Sequence, residues 1–188
     1  PARINHVPSG AEFGYRHGNG KWPEYFADSV PAAVDIGLAS PTGLVFGDRA
    51  RFPAIYRSSL FVLDWAFGTI YAVHLRPEGG GFAGAFEKFA TAKPLPVTDA
   101  AIGPDGAFYF VTGGRGTQSG LYRIRYVGSD NTRTNAAPPK PIDLRSLLLR
   151  RRLESYHETS NNVEETLSYI WPHLANPDRS LQYAARVA

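Results

Sequence analysis

The chain has 188 residues, and its 20 Lys plus Arg stand against 17 Asp plus Glu for a formal net charge of +3. So small an excess, clustered only in the three arginines at 150–152, excludes the basic stripe of a nucleic-acid binder, and no apolar run approaches the roughly 18 residues that span a bilayer as a helix. The absence of cysteine removes disulfides, thiolate metal sites and covalent haem attachment within the chain.

High Gly and Pro content (19 and 15) with 13% aromatic residues favours many short strands joined by turns. Residues 1–40 read as a loose lead-in, with the long turn-rich loop "GYRHGNGKWPEY" at 14–25. Four strands are then predicted at 41–46 (PTGLVF), 59–65 (SLFVLDW), 69–75 (TIYAVHL) and 85–91 (AFEKFAT). Three more follow at 97–102 (VTDAAI), 107–112 (AFYFVT) and 120–126 (GLYRIRY), in the same order as the first three. Phe46-Gly47 answers Ile102-Gly103 and Ile70-Tyr71 answers Leu121-Tyr122, a spacing of about 55 residues that marks propeller blades. The second unit lacks a fourth strand, and its open edge at Tyr122–Tyr126 calls for a partner: the remainder of the propeller, or another chain completing it. The ends "PARINHV" and "AARVA" lack the polar composition of natural termini, so a piece of a longer protein is expected.

From residue 129 the composition changes. "SDNTRTNAAPPKP" reads as a linker over 129–141. A helix is predicted next, with Asp143 as N-cap and Leu144, Leu147, Leu148 and Leu153 near one face, its arginines 150–152 forming the solvated side. A second starts behind Asn162 and breaks near Pro172, and a third starts at Asp178. The expected fold is mainly β, a propeller portion over 1–128 with the start of an α-helical solenoid over 142–188.

"RINHVPSGAEFGYR", "SPTGLVFGDRARFPAIYRSSLFVLDWAFGTIYAVHL" and "PLPVTDAAIGPDGAFYFVTGGRGTQSGLYRIRYVG" resemble the last blades of glucose/sorbosone dehydrogenase-type propellers. The form they resemble most occurs in large exported, membrane-bound dehydrogenase-like proteins of planctomycete-like bacteria, where HEAT-type repeats and a c-type cytochrome domain follow the propeller. The resemblance implies a six-bladed propeller, a periplasmic or extracytoplasmic location, and oxidation of a sugar or alcohol with pyrroloquinoline quinone and calcium held by the whole propeller. Electrons would pass to a c-type haem on another domain, with no cofactor inside this chain. In the enzymatic branch an Arg-x-Arg-Asp pattern meets the quinone; here the matching stretch is Pro96-Val97-Thr98-Asp99, which keeps the aspartate and replaces both arginines. A threonine cannot supply a bidentate guanidinium clamp. A non-catalytic propeller-solenoid scaffold that binds a glycan or a protein is the alternative.

In a propeller the loops at Ser40–Thr42, Asp64–Thr69, Pro94–Asp99 and Gly113–Gly120 would open on one face. Within them Thr98, Asp99, Arg115, Gln118, Asp64 and Trp65 offer carboxylates, a cation, an amide and a stacking surface suited to a sugar. Asp64 and Asp99 equally suit local turn capping. "GGRGTQSG" has the wrong glycine spacing for a phosphate loop and precedes a strand, so it reads as a hairpin connection. His6, His17 and His74 lack partners at metal-ligand spacing, so no metal site is named, and His157 and His173 read as helix-end residues.

Overall fold

The computed structural model describes residues 2–13, 25–27, 29–129, 143–158 and 162–188. The loop expected at 14–25 and the linker expected at 129–141 lie outside the described residues except for Tyr25 and Ser129. Two compact units are present, one of residues 1–3, 34–75 and 84–140, the other of residues 4–33, 76–83 and 141–188.

The chain is mainly β. After the small pair β1 (Ala2–Ile4) and β2 (Val34–Gly37), a four-stranded sheet runs in sequence order through β3 (Pro41–Phe46), β4 (Leu60–Asp64), β5 (Thr69–Glu78) and β6 (Gly81–Thr91). A three-stranded antiparallel sheet follows with β7 (Val97–Ile102), β8 (Phe108–Gly114) and β9 (Thr117–Ile124). All seven strands expected from residue 41 onward are present. The β5–β6 hairpin is longer than Pro77 and the glycine run 79–81 suggest. Only Gly79 and Gly80 lie outside the strands, with Gly79 at φ 56° in the left-handed region that glycine adopts freely. The sequence pattern did not reveal the one-turn helix α1 (Ala54–Arg57) that joins β3 to β4.

The internal repeat is geometric as well as sequential. β3 carries an irregularity between Pro41 and Gly43 opposite Asp64 and Leu63, and β7 carries one at the same point, between Val97 and Asp99 opposite Thr112 and Val111. Thr42 and Thr98 are the extra residues, and each spends its hydroxyl on a backbone carbonyl: Thr42 Oγ1 donates to Val97 at 2.8 Å and Thr98 Oγ1 to Val111 at 3.2 Å. Such bulges re-aim a strand end at the rim of a sheet.

The core of the first unit lies between the two sheets. Phe61, Leu63, Ile70 and Ala72 from one meet Val97, Phe108 and Phe110 from the other. Alternate residues of β4 and β8 point into this layer, as strand geometry requires. Phe61 lies edge-on to Phe108, with centroids 5.0 Å apart, and Phe89 adds a third ring 4.8 Å from Phe61. All five residues of β4 are buried, which accounts for the apolar run Leu60–Leu63 ahead of Asp64.

In the second unit Leu153, Ile170, Leu181, Ala184 and Ala185 pack together, drawn from α2 (Arg145–Glu154), α3 (Val163–Ile170) and α4 (Arg179–Val187). Asn162 caps α3 by accepting the Glu165 amide at 3.2 Å, and Asp178 caps α4 by accepting the Ser180 amide at 2.9 Å. Asp143 accepts the Arg145 amide at 3.0 Å, one position ahead of the α2 cap, Leu144. Leu147 and Leu153 are buried but Leu144 and Leu148 are exposed, so the apolar face of α2 is narrower than expected.

Arg150 departs from the solvated face expected for 150–152. It is 5% exposed, pairs with Glu154 and donates its Nε–H to the Gly80 carbonyl at 2.5 Å. Asp178 Oδ2 accepts the Gly80 amide at 2.6 Å, so the helices hold both polar groups of one hairpin residue. The N-terminal segment is tied down likewise: Glu154 accepts the Ser9 amide, His157 bridges Ser9 Oγ and the Ala184 carbonyl, and Tyr183 donates to the Gly10 carbonyl.

Candidate functional site

The four loops expected to share a face are joined by a chain of hydrogen bonds. Asp64 Oδ1 accepts the Ser40 amide at 2.8 Å, and the Trp65 amide returns a bond to the Ser40 carbonyl at 3.0 Å. Trp65 Nε1 donates to the Gly113 carbonyl at 2.8 Å, and the Gly113 amide donates to the Pro96 carbonyl at 2.9 Å. Four stretches, the β2–β3 connection, the β4–β5 turn, the β6–β7 loop and the end of β8, are thereby fixed side by side.

Within this face the candidate residues divide by burial. Asp64 is fully buried, and its Oδ1 also accepts the amides of Ala66 and Phe67 at 3.1 and 3.4 Å, so it caps the turn after β4. Its Oδ2 is buried with no hydrogen-bond partner. The neighbouring Tyr71 hydroxyl has its pKa pushed above 10, first by burial and then by the negative charge of Asp64. Thr98 is committed to the Val111 carbonyl. Asp99 is exposed, accepts the amide of Ala100 at 2.8 Å, and lies so near Gly43 that a Cβ there would stand 2.8 Å from its Oδ1.

Trp65, Arg115 and Gln118 remain available. Trp65 is half-buried with its indole N–H anchored, while Arg115, on the β8–β9 turn, and Gln118, at the start of β9, are exposed. The Arg115 guanidinium carbon sits 5.4 Å from the centre of the Trp65 ring, a cation–π contact. Arg115 holds φ 51°, unusual for a residue other than glycine, between Gly114 and Gly116, which are also at positive φ. Beside the Trp65 side chain a cleft of about 330 Å³ is lined by Phe67, Lys93, Pro94, Pro96 and Thr117. Lys93 was hard to find from spacing alone, being a single charge in a proline-rich stretch with no periodicity to mark its direction.

The quinone implied by the resemblance does not fit the residues at its expected contact. Pro96 has no donor and its carbonyl is taken by Gly113, while the Thr98 hydroxyl points into the backbone of β8. Among the described residues no group of three or more His, Asp or Glu side chains is arranged to hold a metal ion, and no helix is long and apolar enough to cross a membrane. His74 lies in a network away from this face, its Nδ1 2.9 Å from Ser59 Oγ and its Nε2 3.1 Å from Glu87 Oε1.

No protein-family model and no curated protein matches the chain. Solved structures do. One glucose dehydrogenase is 28% identical over 46% of this chain, with a TM-score of 0.38. A putative oxidoreductase (glucose dehydrogenase) from Thermus thermophilus is 19% identical over 64% of the chain at TM-score 0.47, and a further glucose dehydrogenase is 23% identical over 62% at 0.46. The matched region spans only 25%, 35% and 33% of those chains, respectively.

Proposed function

We propose that the two larger sheets are neighbouring blades of a six-bladed propeller, and that the face carrying Trp65, Arg115 and Gln118 recognises a sugar or related polyol. The parent protein is an extracytoplasmic one resembling quinone-dependent sugar and alcohol dehydrogenases that pass electrons to a c-type haem, with α2 to α4 opening a solenoid. The observation that carries the recognition reading is the anchored, half-exposed indole of Trp65 beside a cleft, with a guanidinium on the β8–β9 turn and an amide at the start of β9. An aromatic face that packs on C–H groups, ringed by a few fixed polar groups, is the usual makeup of a polyol site.

A second reading, a binding or scaffolding propeller without oxidase chemistry, is favoured by Pro96 and Thr98, which cannot clamp a quinone carboxylate. Calorimetric titration of the full-length protein with a panel of mono- and disaccharides, and separately with pyrroloquinoline quinone plus calcium, tests both. Saturable sugar binding lost in Trp65→Ala supports recognition at this face. Tight quinone binding favours the dehydrogenase, and sugar binding without it favours the scaffold. No binding of any sugar at millimolar concentration refutes recognition here.

A further inference from the structure

The cleft beside Trp65 has one cation in its wall and a second over its indole, neither with a counter-charge among the described residues. Lys93 forms part of its wall, and Arg115 stands over the indole that forms another part. Both side chains are exposed, and among the described residues neither is paired with a carboxylate. Among the described residues no acid lines the cleft, and the nearest acid in sequence to Trp65, Asp64, is buried and spends one oxygen on three backbone amides. Arg123, exposed on β9 in the same unit, reaches an acid, Asp105, at 2.5 Å. The β8–β9 turn, by contrast, holds Arg115 at positive φ between two glycines and aims it at a ring.

Resting on the sugar-recognition reading above, we infer that the cleft selects an acidic sugar, a hexuronate unit whose ring packs near Trp65 and whose carboxylate is taken by Arg115 and Lys93. A guanidinium offers a planar pair of donors that matches a carboxylate, and lying over an indole it stays oriented and partly desolvated, which strengthens a charge-assisted bond. Lys93 supplies a second, mobile positive charge on the wall. A neutral hexose would leave both cations unanswered.

The test is a titration of the full-length protein with D-glucuronate and with D-glucose, at low salt and again at about 0.3 M salt. Glucuronate is expected to bind about tenfold or more tighter than glucose at low salt, a gap that closes in Arg115→Gln, narrows in Lys93→Gln and shrinks at high salt. Both substitutions are on exposed side chains, and an unchanged melting curve verifies the fold. Equal affinity for the two sugars overturns the acidic preference and leaves sugar recognition standing. A preference for glucuronate that survives both substitutions assigns the carboxylate to other residues and also overturns the inference. If neither sugar binds, the recognition reading itself falls, and this inference with it.

Discussion

Arg150 and Asp178, twenty-eight residues apart and on different helices, hold opposite sides of one residue: Arg150 Nε donates to the Gly80 carbonyl and Asp178 Oδ2 accepts the Gly80 amide. The β5–β6 turn is therefore held from both sides within the second unit, by a side chain of α2 and by the N-cap of α4. Replacing Arg150 by Met removes the donor to the Gly80 carbonyl and the cation beside Glu154, leaving that carboxylate, among the described residues, only the Ser9 amide. Breaking a buried pair from one side typically costs about 3–5 kcal/mol. Urea unfolding followed by helical circular dichroism is expected to show a loss of that order, and a loss under about 1 kcal/mol would mean the grip is incidental.

Gly79 gives an independent check on the same contact. It sits at φ 56°, and a Cβ added there would overlap the Asp178 carboxylate. Gly79→Ala is expected to destabilise the second unit by about 1–3 kcal/mol, and Gly37→Ala, also at positive φ but with open space around it, by less. Equal losses at the two positions would assign the whole effect to backbone strain.

Asp64 and Asp99 separate structure from recognition. Asp64→Ala strands three amides, those of Ser40, Ala66 and Phe67, in a buried turn, and is expected to cost about 2–4 kcal/mol. Asp99→Ala, on the exposed strand end, is expected to change stability by about 0.5 kcal/mol at most. Thermal melts of the two variants decide the matter: a stable Asp64→Ala protein would return Asp64 to the set of ligand groups.

The second unit should lose stability in mild acid through His6. Burial, and next the positive charge of Arg150, hold its pKa below the ordinary 6.5, with Glu154 opposing. The unfolded chain then takes up this proton more readily than the folded one. Stability is therefore full above about pH 6.5 and declines as the pH falls below it. His6→Gln is expected to flatten the change in urea midpoint between about pH 7.5 and 5; an unchanged slope would place the titration elsewhere.

Asp143 behaves in the opposite range. Its side-chain and backbone bonds with Arg145 lower its pKa from 3.8 to about 2. What it contributes is present above pH 3.8 and lost as the pH drops toward 2. A carboxyl carbon NMR titration of Asp143 should give a midpoint near 2, and Arg145→Ala, which removes the guanidinium but keeps the backbone amide, should raise it part of the way toward 3.8.

The strands were legible because period-two apolar runs bounded by Gly and Pro encode them directly, and the 56-residue offset of Thr42 and Thr98 proved to be a shared bulge. Helix starts at Asn162 and Asp178 followed from capping chemistry that is local in sequence. Long-range partners were not legible. Nothing near Arg150 announces that its counterpart is the carbonyl of Gly80, seventy residues away, so a buried arginine resembled a solvated one. Of the candidate site, the grouping of loops was legible from the repeat, whereas the burial of Asp64 and the presence of Lys93 in the cleft depend on side-chain packing that spacing does not encode.

The most direct test of sugar recognition is the indole N–H resonance of Trp65, one of three tryptophans in the chain, assigned through Trp65→Phe and followed as sugar is added. Its bond to the Gly113 carbonyl fixes it at the proposed face. Recognition at this face predicts a saturable shift of that resonance, with Trp171, in the 3₁₀ turn Trp171–His173, left unmoved. A sugar that binds while the Trp65 signal stays in place would contradict it.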